Sequence, residues 1–349
     1  MTGQATWLDQ ARDAHRRGDV AAETAALDGA IRADRGNIAA MLAMAELKRS
    51  LADDRAAGSF YRLALGTAAQ AKSIPAALHP GLQRAEQFLA AADRAYTDHL
   101  LGQLRGAGID AVGAAPRVAT ALRMLAGDQP LYLQQPSMFY FPGLAQRPFF
   151  DRADFAWVDA IEAATDAIRA ELLALIDNAA DRFGPYVTAS ADRPPPNNPL
   201  LDKPDWGAAW LWKDGVIADG MAMLCPAALA ALSLAPQPVI PGRAPLALFS
   251  RLTPGTHIQP HHGMLNTRLI CHLPLVVPDG CGLRVGAETR HWAEGELLIF
   301  DDSFEHEAWN RGTSDRTVLL FEIWRPDIDA DEREQLTRIF SAIDSYSEQ

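Results

Sequence analysis

Cysteine is scarce in this chain: Cys225, Cys271 and Cys281 are all that 349 residues hold. An odd, sparse set argues against a disulfide framework and for a reducing compartment, so the chain is expected in the cytoplasm. Positive charge is also in short supply. Lys and Arg number 32 against 44 Asp and Glu, a formal net charge of -12. A long phosphate-binding surface needs clustered cations, so nucleic acid is not an expected partner. No apolar run approaches the roughly 18 residues that a membrane span needs. The opening MTGQATWLDQARDAHRR has no apolar stretch of the signal-peptide kind. No membrane contact and no secretion are expected.

What is present is ordinary globular material. Hydrophobic residues make up 48% and charged residues 22%, enough for each of two domains to bury a core. Residues 1 to about 110 are Ala-rich and read as helix. An offset of 34 residues pairs Ala11 with Ala45, Asp19 with Asp53, Leu27 with Tyr61 and Ala30 with Ala64. That is the period of tetratricopeptide arrays, where small residues let paired helices approach closely. Two such units and a following helix, about Leu82 to Leu104, form the first expected domain. A generic Ala-rich bundle is the plainer alternative.

The character changes at residues 131–157, an aromatic stretch with Pro136, Pro142 and Pro148 that reads as an extended segment lying over another surface. An amphipathic helix is expected from about Val158 to Ile176. The proline-rich stretches 193–206 and 236–245 are expected loops. From Leu246 the chain alternates short β-friendly runs (ALFSRL, TRLICHLPLVV, GLRVG, ELLIF, RTVLLFEIW) with turns (PGTH, PDGCG, DDS, NRGTSD). Such spacing suggests a jelly roll. The fold class expected is α+β: a helical repeat segment over 1–110, then a double-stranded β-helix, cupin-like, with flanking helices over 111–349 and its barrel core at about 200–326.

Two histidines stand out. His261 comes just before one of these strands, and His306 follows a strand and turn. Two neutral imidazoles with open coordination positions suit ferrous iron. Arg316 opens a strongly apolar strand, where a guanidinium needs a counter-anion and a carboxylate accepts its fork. In TRLICHL, the two-residue period puts Arg268, Ile270 and His272 on one face.

The segment containing PGTHIQPHHG, TRLICHL, LRVG, FDDSFEHEAW and RTVLLFEIWRP resembles the aspartyl/asparaginyl β-hydroxylase family. The resemblance covers roughly residues 130–330 and is densest over 246–326. That family uses iron(II), 2-oxoglutarate and dioxygen on a double-stranded β-helix. By this resemblance His261 and His306 are the iron ligands. Ser250 and Arg316 hold the distal carboxylate of 2-oxoglutarate. His272 and Arg268 lie near the metal and the bound ketoacid. Asp302 is an acid just outside the ligand set. The chain departs from the family where a second arginine gives way to Ile270, which bears on the substrate. Where most such oxygenases place a third, carboxylate ligand, Gly263 has no side chain; water or a halide could fill the position.

The resemblance implies a 2-oxoglutarate-dependent hydroxylase acting on an amino-acid side chain in a peptide, protein or metabolite. The helical repeats are expected to hold a protein partner. A halogenase of the same architecture and a non-catalytic scaffold with a degenerate barrel are the alternatives.

Overall fold

The computed structural model describes residues 6–109, 114–189 and 194–347; residues 1–5, 110 and Arg193 of the expected segments lie outside them. The chain forms two compact units, Met1–Gln129 and Pro130–Gln349. Composition alone draws the line near residue 110, but helix Pro116–Ala126 groups with the first unit.

The first unit is helical: α1 (Trp7–Arg17), α2 (Val20–Ala33), α3 (Ile38–Ser50), α4 (Asp54–Gln70), α5 (His79–Gly106) and α6 (Pro116–Ala126). The 34-residue offset has a physical basis. Asp19 and Asp53 cap α2 and α4 in the same way, each side chain accepting from the backbone N–H three residues on, at 3.0 and 3.1 Å. The other three pairs, Ala11 and Ala45, Leu27 and Tyr61, Ala30 and Ala64, are all buried. α1 packs on α2, α3 on α4, and α5 on α4.

The second unit holds the sheets. Its strands are β1 (Phe149–Phe150), β2 (Gly184–Pro185), β3 (Trp206–Lys213), β4 (Val216–Ile217), β5 (Ala247–Leu252), β6 (His257–His261), β7 (Arg268–Val276), β8 (Cys281–Val285), β9 (Glu288–Arg290), β10 (Leu298–Phe300), β11 (His306–Asn310) and β12 (Arg316–Trp324). The larger sheet runs β1-β10-β7-β12-β5-β3-β2, with β4 on β3; the smaller runs β6-β11-β8-β9. All pairings are antiparallel. From β5 onward the chain passes between the two sheets, as a double-stranded β-helix does.

Alternation along the strands sorts two cores. Leu269, Cys271, Leu273 and Leu275 of β7, with Leu319, Phe321 and Ile323 of β12, pack with residues of α7 (Val158–Glu162), α8 (Thr165–Asn178) and the helix Pro226–Leu232. Ile270, Leu248, Val318 and Leu320 face the other way, toward Ile258, Leu283 and Ala308 of the smaller sheet. The single helix expected over 158–176 is two, α7 and α8. The Thr165 hydroxyl donates to the Glu162 carbonyl oxygen at 2.6 Å, where the helix breaks. Strands β6 and β11 escape a search for apolar runs, because His, Gln, Pro, Glu and Asn interrupt them; β3 is largely apolar but begins at the end of the expected proline-rich loop over 193–206. The three cysteines are free and buried. No helix among the described residues is long and apolar enough to cross a membrane.

Candidate active site

His261 ends β6 and His306 begins β11, directly opposite one another. A bulge makes this possible. The pairing register shifts between His306, opposite His261, and Ala308, opposite Ile258. One extra residue therefore sits in β6, at Gln259 and Pro260, where proline has no N–H for the ladder. Without it, Ile258 and His261 would face opposite sides of the sheet. With it, both look inward, and the imidazole rings stand 4.1 Å apart, centroid to centroid.

Hydrogen bonds decide which nitrogens are free. His261 Nδ1–H donates to the Gln259 carbonyl oxygen at 2.8 Å, and His306 Nδ1–H to that of Phe304 at 3.0 Å. A carbonyl only accepts, so each neutral ring keeps a bare Nε2 lone pair. Burial first, and the closeness of His261, beside which a second imidazolium would be repelled, push the His306 pKa down to about 3, so this ring stays neutral. Two oriented imine nitrogens side by side have the chemistry to hold a metal ion. Among the described residues no cluster of three or more His, Cys, Asp or Glu is placed to hold a metal, so any ion here rests on two protein ligands.

Arg316 lines the same cavity. It is 1% exposed and has no carboxylate partner among the described residues. Nη1 donates to the Ser250 carbonyl oxygen at 3.3 Å, the guanidinium lies 4.3 Å from the Trp292 ring centre, and Nε has no partner. Burial pushes its pKa down to about 10, so it remains a cation at neutral pH. A buried, unpaired guanidinium is costly and points to an anionic ligand. Ser250, on the neighbouring strand, accepts from Trp206 Nε1 at 3.2 Å and keeps its own hydroxyl hydrogen to give.

His272 is buried beside them. Trp292 Nε1 donates to its Nδ1 at 3.3 Å. Indole N–H only donates, so the neutral His272 must carry its proton on Nε2. Burial and the Arg316 charge hold its pKa well below the usual histidine range. His272 is therefore a neutral donor, the opposite tautomer to the two other histidines. Arg268, Ile270 and His272 do share a face and all line the cavity. Arg268, however, is engaged: it pairs with buried Glu322 and, at 3.4 Å, with Asp302.

Residues 162–326 match the family model described as Aspartyl/Asparaginyl beta-hydroxylase. Over this stretch the chain is similar to the aspartyl/asparaginyl β-hydroxylase family. Over 209 residues, 59% of this chain, it is 33% identical to human aspartyl/asparaginyl beta-hydroxylase, covering 26% of that protein. It is 33% identical over 60% of its length to human aspartate beta-hydroxylase domain-containing protein 2, covering 56% of it. It is also 34% identical over 52% of its length to the ornithine lipid ester-linked acyl 2-hydroxylase of Rhizobium tropici, covering 62% of that protein. The chain thus spans from about a quarter to three fifths of the length of these curated relatives.

Within the matched stretch, Gly263 has a steric explanation. A Cβ built there would overlap the Asp302 carboxylate. The Gly263 N–H donates to the Asp302 carbonyl oxygen at 2.6 Å, tying the two loops together. Asp302 is 7% exposed, and its Oδ1 has no hydrogen-bond partner. Burial raises its pKa, against Arg268 and His261, which lower it. The acid beside the histidine pair is thus Asp302, and glycine is what leaves it room. Gly263→Ala is expected to lower stability by roughly 1–3 kcal/mol through overpacking. Asp302→Ala in the same chain should recover most of that loss. Thermal unfolding of the two variants beside the wild type checks this; an unshifted melting point in Gly263→Ala would contradict the overlap.

A strap that precedes the β-hydroxylase match completes the site. Gln135 N–H donates to the Ser303 carbonyl oxygen at 2.8 Å and Ser137 N–H to that of Gly263 at 2.9 Å. Gln134 donates to Asp301 Oδ2 at 2.7 Å and accepts from Asn266 Nδ2 at 3.1 Å. Arg325, fully buried, donates to the same Asp301 oxygen at 2.5 Å. The loops on either side of the histidine pair are therefore braced by residues 134–137. Sequence patterns predict an extended segment there but carry no sign of its link to the site. Nor do they single out Trp292, Trp206, Tyr186 or Glu322 as site residues. Only Glu322 carries a signal, an acid inside an apolar strand. His257 is structural: its Nε2 lies 2.7 Å from Glu307 Oε2.

Proposed function

We propose that this protein is an iron(II)- and 2-oxoglutarate-dependent hydroxylase of an amino-acid side chain in a peptide, protein or amino-acid-derived metabolite. One observation carries the reading. A buried guanidinium without a counter-anion, Arg316, lines the same cavity as two imidazoles whose lone pairs are held free. A dicarboxylate keto acid satisfies both ends at once.

His261 and His306 would hold the iron through Nε2. The ion supplies the activation of dioxygen at the expense of the keto acid. The chain's own residues bind and orient. Arg316 grips the distal carboxylate, and the Ser250 hydroxyl donates to it. Trp292 fixes the His272 tautomer, so that Nε2–H is offered to the keto-acid end. Arg268 walls the cavity and, with Asp302, forms a charged pair beside the histidines. Asp302 Oδ1 accepts from a water or other donor near the third position. Ile270, Leu320 and Phe300 keep bulk water from the cavity.

Hydroxylation is favoured over halogenation. The space beyond Gly263 is taken by a carboxylate, and a halide there would face a like charge. A degenerate barrel is disfavoured because selection against an uncompensated buried Arg316 would be strong without its ligand. For the helical unit we infer a partner-binding role, supported by a groove shared by α1, α2 and α3 and lined by Arg12, His15, Glu23, Ala43 and Leu47. The low-cysteine chemistry suits the cytoplasm. The test is succinate release from 2-oxoglutarate with iron(II), with and without cell extract under labelled dioxygen. Iron-dependent succinate and a product heavier by one oxygen support the reading. No succinate under any condition overturns it, and chloride incorporation would transfer it to the halogenase.

A further inference from the structure

A second cavity of about 320 Å³ adjoins the histidine pocket, sharing Tyr186, Leu246 and Arg268 with it. Its charged lining is two cations, Arg243 and Arg268, and three acids, Asp214, Glu322 and Asp344. Both cations are engaged. Arg243 pairs with Asp344, and Arg268 pairs with Glu322 and with Asp302 at 3.4 Å. Asp214 makes no ion pair among the described residues, and in the adjoining histidine cavity the buried Asp302 Oδ1 has no hydrogen-bond partner. The unmatched groups are thus acceptors of negative sign.

Glu322 is the decisive residue. It is 2% exposed in the middle of β12, a strand whose nine residues are all buried. A carboxylate so placed must be compensated, and Arg268 does it. The same pairing withdraws Arg268 from any incoming anion. The one buried cation left without a carboxylate among the described residues, Arg316, lies in the keto-acid pocket and does not line the second cavity.

We propose that the substrate brings an ammonium or guanidinium group, and not a carboxylate, into this second cavity, and that Glu322 sets the preference by keeping Arg268 engaged. This rests on the oxygenase reading above. A carboxylate would enter a space with surplus negative charge and no free cation, and like-charge juxtaposition in a partly dry cavity strongly suppresses binding. A cation meets the reverse, and Trp324 and Phe340 offer apolar wall for its aliphatic stem.

The test loads the full chain with manganese(II) and 2-oxoglutarate and measures binding by calorimetry of three capped tripeptides, Gly-X-Gly, with X lysine, norleucine or glutamate. The lysyl peptide is expected to bind at least about tenfold more tightly than the glutamyl one, with norleucine between. In Glu322→Gln, Arg268 loses its closer carboxylate and keeps only Asp302, at 3.4 Å, which frees Nη1 for an anion; the glutamyl peptide should gain at least about tenfold while the lysyl peptide loses. A melting curve of the variant with 2-oxoglutarate confirms that it is folded. Glutamyl binding equal to or tighter than lysyl, or no binding of any of the three, overturns the proposal. Failure of the protein to take up manganese and 2-oxoglutarate at all would instead overturn the oxygenase reading, and shows ahead of any peptide addition.

Discussion

Alanine in place of His306, or of His261, is expected to abolish metal uptake and, with it, succinate release. On the proposed reading the metal rests on two imidazoles, and among the described residues no cluster of three or more His, Cys, Asp or Glu is placed to hold it, so loss of either leaves a single imidazole. Changes that only disturb a ligand's hydrogen-bond partner typically cost about 10–100-fold in metal affinity, so loss of the ligand itself should exceed that. The two variants should differ in stability. His261 is exposed and His306 is half-buried, so His306→Ala also loses packing and should melt earlier. Anaerobic calorimetry with iron(II), and with manganese(II) as an inert substitute, reads the affinity. Undiminished binding in both variants would remove the metal from this position.

Arg316→Met should act in opposite directions on stability and on ligand binding. Without keto acid, Arg316 is a buried charge lacking a carboxylate, and replacing it with an apolar side chain of similar length removes that penalty. The unliganded variant is expected to melt higher than the wild type. Its affinity for 2-oxoglutarate should fall by roughly 30-fold or more, the equivalent of about 2 kcal/mol or more for a lost buried ion pair. The sign with pH follows from the lowered pKa. A folded-state pKa of about 10, below that of the free side chain, means the native state gains stability only as pH rises through and beyond 10. At neutral pH the penalty is fully present, and Arg316→Met should relieve it there. Arg316→Lys should bind 2-oxoglutarate weakly, because an ammonium cannot reproduce the fork. Melting curves with and without 2-oxoglutarate separate the two effects. Stability and affinity falling together would show that Arg316 is structural, already satisfied in the unliganded protein.

Much of the barrel is legible in the sequence because its signals are local. β5, β7 and β12 are runs of apolar, β-branched and aromatic residues bounded by Gly, Pro and Asp turns, and a two-residue period states which side chains share a face. That period by itself places Arg268, Ile270 and His272 together. The repeat in the helices is legible for the same reason: Asp19 and Asp53 act on the N–H three residues along, and a 34-residue offset brings equivalent small residues to equivalent helix faces. β6 and β11 are not legible, because they are stabilised by their partners across the sheet and their own residues are polar.

What the chain determines alone, then, is the residues of the candidate site and their likeness to a family, through words such as FDDSFEHEAW and RTVLLFEIWRP. Tertiary structure decides how those residues are employed. Arg268 and Arg316 are both arginines on barrel strands, yet one is neutralised by Glu322 and Asp302 and the other is left open. His272 and His306 are both buried imidazoles, yet a Trp292 donor and a Phe304 carbonyl give them opposite tautomers. Gly263 reads as a missing ligand in the sequence and is space for Asp302 in the fold. The reason is common to all three. Charge compensation, proton position and steric room depend on atoms brought within a few ångströms by strands distant in sequence, and no local pattern encodes which of them will meet.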